Sequence, residues 1–266
     1  TSYDPNGNIL TYNRNGAPAA GMLLKMDEMT YEYYGSTNKL AQVRDAVAPT
    51  NYPADIDNQA SASNYTYDAI GNLISDDAEG ITNIKWTVYG KIASVAKVDG
   101  SVINYLYDAA GNRISKMVND NVTAYVRDAQ GNVMSVYEGA DPVQTEVHLY
   151  GSSRLGMITK KEAKTFDVEM SPEIGRGTIN TFTRGERIFE LSNHLGNVMA
   201  TVSDKKTGVD EGTYDATGAL VNNTPDGQTD YYKADILSAN DYYPFGMQMP
   251  GRTFTINNSY RYGFNG

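Results

Sequence analysis

The residues that could take part in chemistry are few and are scattered along the chain. The sequence contains no cysteine and two histidines, His148 and His194, whose spacing is not that of a metal-ligand pair. His148 alternates with Val147 and Leu149, which is typical of a strand residue that faces solvent or a lumen. His194 lies inside a turn-like phrase, where a polar side chain is tolerated. Neither histidine is expected to be catalytic.

The neighbouring acids also lack the arrangement of a general acid/base pair. Asp76-Asp77 and Asp210-Glu211 point to opposite faces of a strand or lie in loops. The sequence has no Gly-x-Ser-x-Gly elbow and no phosphate-binding Gly-x-x-x-x-Gly-Lys, and the lack of cysteine excludes disulfides and thiol catalysis. The sequence therefore predicts a chain without enzymatic activity, metal or cofactor.

Charge and composition restrict the partners. The net charge of −10 and the pI near 4.7 argue against nucleic acid, which is bound largely through cationic contacts to phosphates. No apolar run approaches the roughly 18 residues that span a bilayer. The 21 tyrosines far outnumber the single tryptophan and six phenylalanines, which suits half-wet sheet faces. Trp86, Tyr65 and Tyr105 are candidates for an aromatic binding face, with cross-strand packing as the alternative.

A six-residue phrase, aromatic-Asp-x-x-Gly-Asn, recurs at 3–8, 67–72 and 107–112, with degenerate copies at 86–91, 127–132, 192–197 and 214–219. The Asp can cap its own turn, and the Gly three residues later supplies the positive φ of a bulged hairpin turn. Each copy therefore predicts two antiparallel strands and their tip. The predicted turn residues are Asp4, Gly7, Asp68, Gly71, Gly90, Asp108, Gly111, Asp128, Gly131, Gly196, Asp215 and Gly218.

The copies repeat about every twenty residues between 71 and 131, at the short end of the periods of repeat architectures. Tyr, Ile, Val and Thr alternate with polar residues on both sides of the tips, which indicates strands. One Asp per repeat is too sparse for a calcium-binding roll, so the turn-capping interpretation is preferred. The sequence predicts an all-β chain of antiparallel hairpins, with irregular insertions near 47–63 and 151–187.

Three C-terminal strings are more specific. Residues 189–204 (FELSNHLGNVMATVSD), 241–247 (DYYPFGM) and 260–266 (YRYGFNG) closely resemble the RHS-repeat-associated core of bacterial RHS/YD-repeat proteins, in the form common among Bacteroidetes. With the upstream phrases, the resemblance covers nearly the whole chain. It implies YD-repeat sheet over 1–186 and an RHS core segment over 187–266.

The RHS/YD resemblance implies a scaffold. In that family, which includes polymorphic-toxin shells, Tc-toxin shells and teneurins, the repeats form a curved or spiralling sheet that closes into a hollow shell. In the toxins the shell holds a C-terminal effector polypeptide, and some members cleave themselves at an Asp-Pro motif that has no matching position here. The chain is expected to be a fragment of a protein secreted by, or displayed on, a Gram-negative bacterium, with its own further segments, an effector and secretion machinery as protein partners.

Two other functions stay open from the sequence. A cell-surface module could bind glycans or a protein through exposed tyrosines and Trp86, since aromatic rings stack on sugars. An exported cargo could instead be what the secretion machinery handles. Where the tyrosine rings point distinguishes an enclosing wall from a shallow binding face.

Overall fold

The computed structural model describes residues 1–17, 23–52, 55–159, 165–169, 176–180, 183–256 and 260–264. These residues form strands and turns, with no helix among them, and each strand pairing is antiparallel. The all-β prediction is confirmed. No helix in the described part of the chain is long and apolar enough to cross a membrane.

The chain divides into two compact units. Residues 1–132 and 137–143 form the first, and residues 133–136 and 144–266 form the second. The predicted division into 1–186 and 187–266 stays a prediction.

The strands of the first unit follow the alternating Tyr, Ile and Val segments. They are β1 (Ser2–Tyr3), β2 (Ile9–Asn15), β3 (Lys25–Tyr33), β4 (Leu40–Asp45), β5 (Tyr65–Tyr67), β6 (Leu73–Asp76), β7 (Ile81–Trp86), β8 (Ile92–Lys97), β9 (Val102–Tyr107), β10 (Arg113–Val118) and β11 (Asn121–Arg127). Strands β1 to β4 form a four-stranded sheet in chain order, and β5 to β11 are also neighbours in chain order. Strand β12 (Val133–Gly139) follows.

A compact apolar cluster stabilises the four-stranded sheet. Tyr12, Met29 and Val43 are buried and lie on one face of β2, β3 and β4, because Tyr12 pairs with Met29 and Val43 lies two residues before the partner of Met29. Tyr65 of β5 packs against this cluster. No described residue from 46 to 64 is in a strand or helix, and this loop follows β4, where the Gln59 amide donates to the Val43 carbonyl.

The second unit is also built by hairpins. Its strands are β13 (Val143–Tyr150), β14 (Arg154–Thr159), β15 (Thr165–Glu169), β16 (Arg176–Asn180), β17 (Arg187–Ser192), β18 (Val198–Val209), β19 (Thr213–Tyr214), β20 (Leu220–Asn222), β21 (Tyr231–Tyr242) and β22 (Gln248–Thr255). The main sheet has the order β13-β14-β17-β18-β21-β22, while β15-β16 and β19-β20 form separate two-stranded sheets.

The described residues of the stretch at 151–187, which was predicted to be irregular, include the strands β14, β15 and β16. Strand β14 pairs with both β13 and β17, so it belongs to the main sheet. Only β15 and β16 leave that sheet, as a hairpin that is paired with itself. The prediction missed β14 because Gly156 interrupts the strand pattern, whereas the pairing with both neighbours fixes the strand.

Candidate functional site

The repeat phrase forms a turn whose side-chain and backbone polar groups hydrogen-bond to one another. In the turn at Asp108, the Asp108 amide donates to the Asn112 carbonyl at 2.9 Å, and the Gly111 amide donates to the Asp108 carbonyl at 3.0 Å. Oδ1 of Asp108 accepts from the amides of Ala110 and Asn112 at 2.9 and 2.8 Å, and Oδ2 accepts from Nδ2 of Asn112 at 3.0 Å. Gly111 has φ +82°, which a residue with a Cβ adopts at a cost of about 1–2 kcal/mol.

The other predicted tips share this geometry. Asp4, Asp68, Asp128 and Asp215 each accept two backbone amides through Oδ1. Asn193 accepts two backbone amides through its side-chain amide oxygen. The turn at Thr87 has the same two backbone hydrogen bonds as the other turns. The glycines that follow have positive φ at 7, 71, 90, 111, 131, 196 and 218.

A second set of hydrogen bonds links neighbouring hairpins. The side chain of the residue just before a turn donates a hydrogen bond to a backbone carbonyl on the neighbouring hairpin. That carbonyl belongs to the first residue after the preceding turn at the same end of the sheet. Tyr107 Oη, for example, donates to the Ile92 carbonyl at 2.9 Å. In the first unit these bonds run from Tyr33 to Ile9, Tyr67 to Leu40, Trp86 to Leu73, Tyr107 to Ile92 and Arg127 to Arg113. In the second they run from Tyr150 to Val133 and from Tyr242 to Val198.

We call these the edge hydrogen bonds, and the row of tips that they join the turn edge. They lie where the backbone ladder has already ended. Strands β8 and β9 pair from Ser94 and Asn104 onwards, so the Ile92 carbonyl lies beyond the last pair of that ladder. The Val198 carbonyl likewise lies beyond the pair of Ala200 with Ala239. The phenol therefore supplies a donor that the neighbouring strand no longer supplies, and a carbonyl that would otherwise need water has a partner.

Neighbouring tips also touch. The side chain of Asn112 lies against Gly131 of the next turn, where an added Cβ would be 3.1 Å from the Asn112 Oδ1. The guanidinium of Arg113, the residue after the Asp108 turn, lies over the Tyr105 and Tyr125 rings at 5.5 and 5.3 Å. Through the edge hydrogen bonds, the aromatic positions of the repeat at Tyr67, Trp86 and Tyr107 also hold adjacent hairpins together. Sequence reasoning missed this role, although the aromatic residue preceded the Asp in each full copy.

The three residues of the predicted aromatic face lie in three different settings. Tyr65 packs against the apolar cluster, and its hydroxyl accepts from Gln59 Nε2 at 2.8 Å. Trp86 makes an edge hydrogen bond. Tyr105 lines an open concavity of about 670 Å³ together with Tyr89 and Tyr107. The residues lie on β5, β7 and β9, so the outer two are about 19 Å apart at four strand spacings.

In the second unit, residues 260–264 lie across the main sheet. We call them the tail segment. The Val198 amide donates to the Gly263 carbonyl at 3.0 Å, and the Phe264 ring lies 6.0 Å from the Tyr242 ring. Arg261 Nη2 lies 3.0 Å from Glu146 Oε1, and Tyr262 Oη donates to Glu146 Oε2 at 2.7 Å.

The tail segment covers His148. The imidazole is buried, with Nε2 at 3.1 Å from Glu146 Oε2 and 3.3 Å from Tyr262 Oη, and its ring meets the Tyr262 ring edge-on at 5.4 Å. The prediction that His148 faces solvent or a lumen was wrong, because strand alternation could not reveal a segment that returns from more than a hundred residues away. His194 is exposed in its turn, as predicted.

Electrostatics reinforce the contact between the tail segment and the sheet. Burial alone would raise the pKa of Glu146, but hydrogen bonds from His148 and Tyr262 hold that pKa below its ordinary value. Burial, and then the Glu146 carboxylate, raise the pKa of the Tyr262 phenol. The guanidinium of Arg154, paired with Glu190 at 2.9 Å, lies 4.3 Å from the centre of the Tyr262 ring. The cluster is therefore a set of matched charges that fixes the tail segment.

These residues form an anchor for a segment of chain, since Glu146 and His148 are both buried beneath Tyr262 and Arg261. Carboxylates that could hold a metal ion lie in the first unit instead, at Asp27, Asp45 and Asp55.

No protein-family model matches the chain, and neither does any curated protein. Among solved structures, the chain is similar to one in the pore form of the Tc holotoxin of Photorhabdus luminescens with a TccC3 mutation, at 13% identity over 94% of this chain and 10% of that chain, with a TM-score of 0.44. It is also similar to TcdB2-TccC3-TEV and TcdB2-TccC3-Cdc42, each at 12% identity over 92% of this chain and 12% of that chain, with a TM-score of 0.27. The chain thus spans about a tenth of the length of those proteins.

Proposed function

We propose that this chain is a non-enzymatic scaffold: part of an RHS-type β-shell that encloses or presents a C-terminal effector polypeptide in a secreted bacterial toxin. The turn edge is the observation that carries this proposal. In the described part of the chain, neighbouring hairpins are joined at seven places by the same kind of side-chain bond, illustrated by Tyr107 to Ile92 and Tyr67 to Leu40. A sheet that grows by one repeated contact is suited to forming an extended wall.

The tail segment gives the wall a second property. Arg261 and Tyr262 bind Glu146, and the Gly263 carbonyl accepts from Val198, so the chain is held at a defined place on the sheet of the second unit. In a parent protein that continues beyond this point, the following polypeptide starts from a fixed position against the wall. We also propose that catalysis, including any self-cleavage, belongs to other parts of that parent.

The test uses the full-length parent protein, purified from its native host and analysed by intact mass under native and then denaturing conditions. We expect a cleaved C-terminal fragment that stays bound in native buffer and separates in denaturant. A parent that is one intact chain in both conditions, with no retained fragment, contradicts the enclosed-effector proposal. Fractionation of the culture tests the proposed secreted or cell-surface location, with protein confined to the cytoplasm as the contrary result.

A glycan-binding surface is the second candidate, and one observation favours it. The concavity lined by Tyr89, Tyr105 and Tyr107 is open, and the Tyr89 side chain is 88% exposed. A glycan array probed with this chain and with its Tyr89→Ala variant tests the surface. Binding that the variant loses supports a glycan site, whereas the absence of binding by both proteins removes this candidate.

A further inference from the structure

Three carboxylates converge in the first unit, away from the turn edge. One oxygen each from Asp27, Asp45 and Asp55 lies within 4.8 Å of the others. Asp27 lies in β3, two residues before Met29, and Asp45 ends β4, where it pairs with Met29. Both therefore lie on the face that carries the apolar cluster. Asp55 comes from the loop of residues 46–64. The site therefore lies between a sheet face and a loop that folds onto it.

The three carboxylates at this site outnumber the positive charge that the structure places there. Arg14 is buried and pairs with Asp27 through two bonds, of Nε to Oδ2 at 2.6 Å and of Nη2 to Oδ1 at 2.7 Å. That pair is neutral. Asp45 and Asp55 add two further carboxylates to the site. Two like charges at this distance in a mostly buried site need a compensating cation or proton.

Two oxygens at the site are buried without a hydrogen-bond partner. Asp45 is 8% exposed, and its Oδ1 accepts from the amides of Glu28 and Val47 at 2.7 and 3.3 Å. Its Oδ2 is buried and unpartnered, as is Oδ1 of Asp55. A buried carboxylate oxygen without a partner is costly, since it has lost water and gained nothing in return. This observation is independent of the acidic cluster itself and indicates a missing ligand.

We propose that Asp27, Asp45 and Asp55 bind a calcium ion that joins the loop of residues 46–64 to the four-stranded sheet. The donors are all carboxylate oxygens, the ligands of a hard cation. Arg14 occupies part of the lone-pair capacity of Asp27 and leaves the rest, because a carboxylate offers about four acceptor positions. Calcium accepts irregular coordination completed by carbonyls and water, which suits ligands from a loop and two strands better than the strict octahedron of magnesium. This inference does not depend on the proposed scaffold function.

The test is calcium titration by isothermal calorimetry of the intact chain after treatment with chelator, together with thermal unfolding with and without calcium. We expect one calcium per chain and a higher melting temperature with calcium. Asp55→Asn should remove both the binding heat and the calcium-dependent shift. We expect this variant to fold, because Asp55 is only partly buried and lies in a loop.

Asp57→Asn is the matched control, since Asp57 is exposed in the same loop and is not one of the three converging residues. It should bind calcium as the unaltered chain does. Two results would overturn the proposal. One is calcium binding that survives Asp55→Asn, which places the ion elsewhere. The other is no calcium binding by the unaltered chain, and undiminished stability of Asp55→Asn at pH 7 would then assign the missing charge to a proton shared by the carboxylates.

Discussion

A tyrosine at the end of a strand does two jobs in this chain. Its ring packs between hairpins, and its hydroxyl reaches past the last backbone pair to a carbonyl on the adjacent strand, as Tyr107 does to Ile92. Phenylalanine can do only the first of these. The excess of tyrosine over phenylalanine in the composition therefore follows in part from hydrogen bonding at the turn edge, and the chemically different Trp86 and Arg127 serve there because each also offers an N–H donor.

Tyr107→Phe tests the edge hydrogen bond directly. The variant keeps the ring and leaves the Ile92 carbonyl to water, so we expect the free energy of unfolding to fall by about 1 kcal/mol. Urea denaturation followed by circular dichroism measures it. Tyr89→Phe is the control, because Tyr89 is 88% exposed and loss of its hydroxyl should change the free energy of unfolding little. An equal effect of the two substitutions would mean that the edge bond contributes nothing.

The hairpin tip is the element in which sequence and structure agree best. The bonds of Asp108 to Ala110 and Asn112 span two and four residues, so they are encoded locally and can be predicted from one phrase. Hydrogen bonds from the side chain of Asn112, and then from its backbone amide, lower the pKa of Asp108. The side chain of Asn132 is likewise the main cause that lowers the pKa of Asp128. Each tip thus prefers a charged carboxylate.

This preference predicts acid sensitivity. A carboxyl whose pKa is lower in the folded state stabilises the fold above its ordinary pKa of 3.8, and that contribution disappears as the pH falls through the lower folded value. We expect the urea concentration at the unfolding midpoint of the unaltered chain to decrease as the pH is lowered below about 4. The double variant Asp108→Asn and Asp128→Asn should lose less over the same range. Asp120→Asn, at an exposed site outside the repeat phrase, should follow the unaltered chain, and an identical profile for all three proteins would refute the assignment.

What the sequence could not reveal is the long-range part of each element. The phrase identified the tips but not the edge bonds, whose partners are often fifteen residues or more apart and whose acceptor is backbone, which carries no sequence signal. Burial of His148 depends on Tyr262, 114 residues along the chain. The acidic site was missed for the same reason, since Asp27, Asp45 and Asp55 are brought together by strand pairing and a loop rather than by a motif.

Over its full length the chain has two compact units, and a single tryptophan, Trp86, lies in the first. Gly156 lies in the second, with φ +155°, where an added Cβ would be 1.9 Å from the Ile188 carbonyl oxygen. That oxygen belongs to the strand paired with β14 and cannot move without breaking the ladder. The two positions therefore allow the units to be perturbed and observed separately.

Gly156→Ala should destabilise the second unit by about 3 kcal/mol, because the clash is with backbone. We expect circular dichroism to show an earlier transition in urea while Trp86 fluorescence keeps its midpoint. Leu155→Ala, at a neighbouring position that is 49% exposed, serves as the control and should shift neither signal greatly. A joint shift of both signals in Gly156→Ala would show instead that the two units unfold as one cooperative body.

The acceptors of the edge hydrogen bonds are main-chain carbonyls, on residues as different as Leu40, Ile92 and Arg113. Main-chain acceptors are present whatever the side chain, so a donor in one hairpin requires no matching residue in its neighbour. A gene encoding such a chain can duplicate, delete or exchange hairpins without compensating substitutions, provided that each hairpin retains its own donor side chain and turn. The contact that holds the sheet together is therefore also what frees its length to change during evolution.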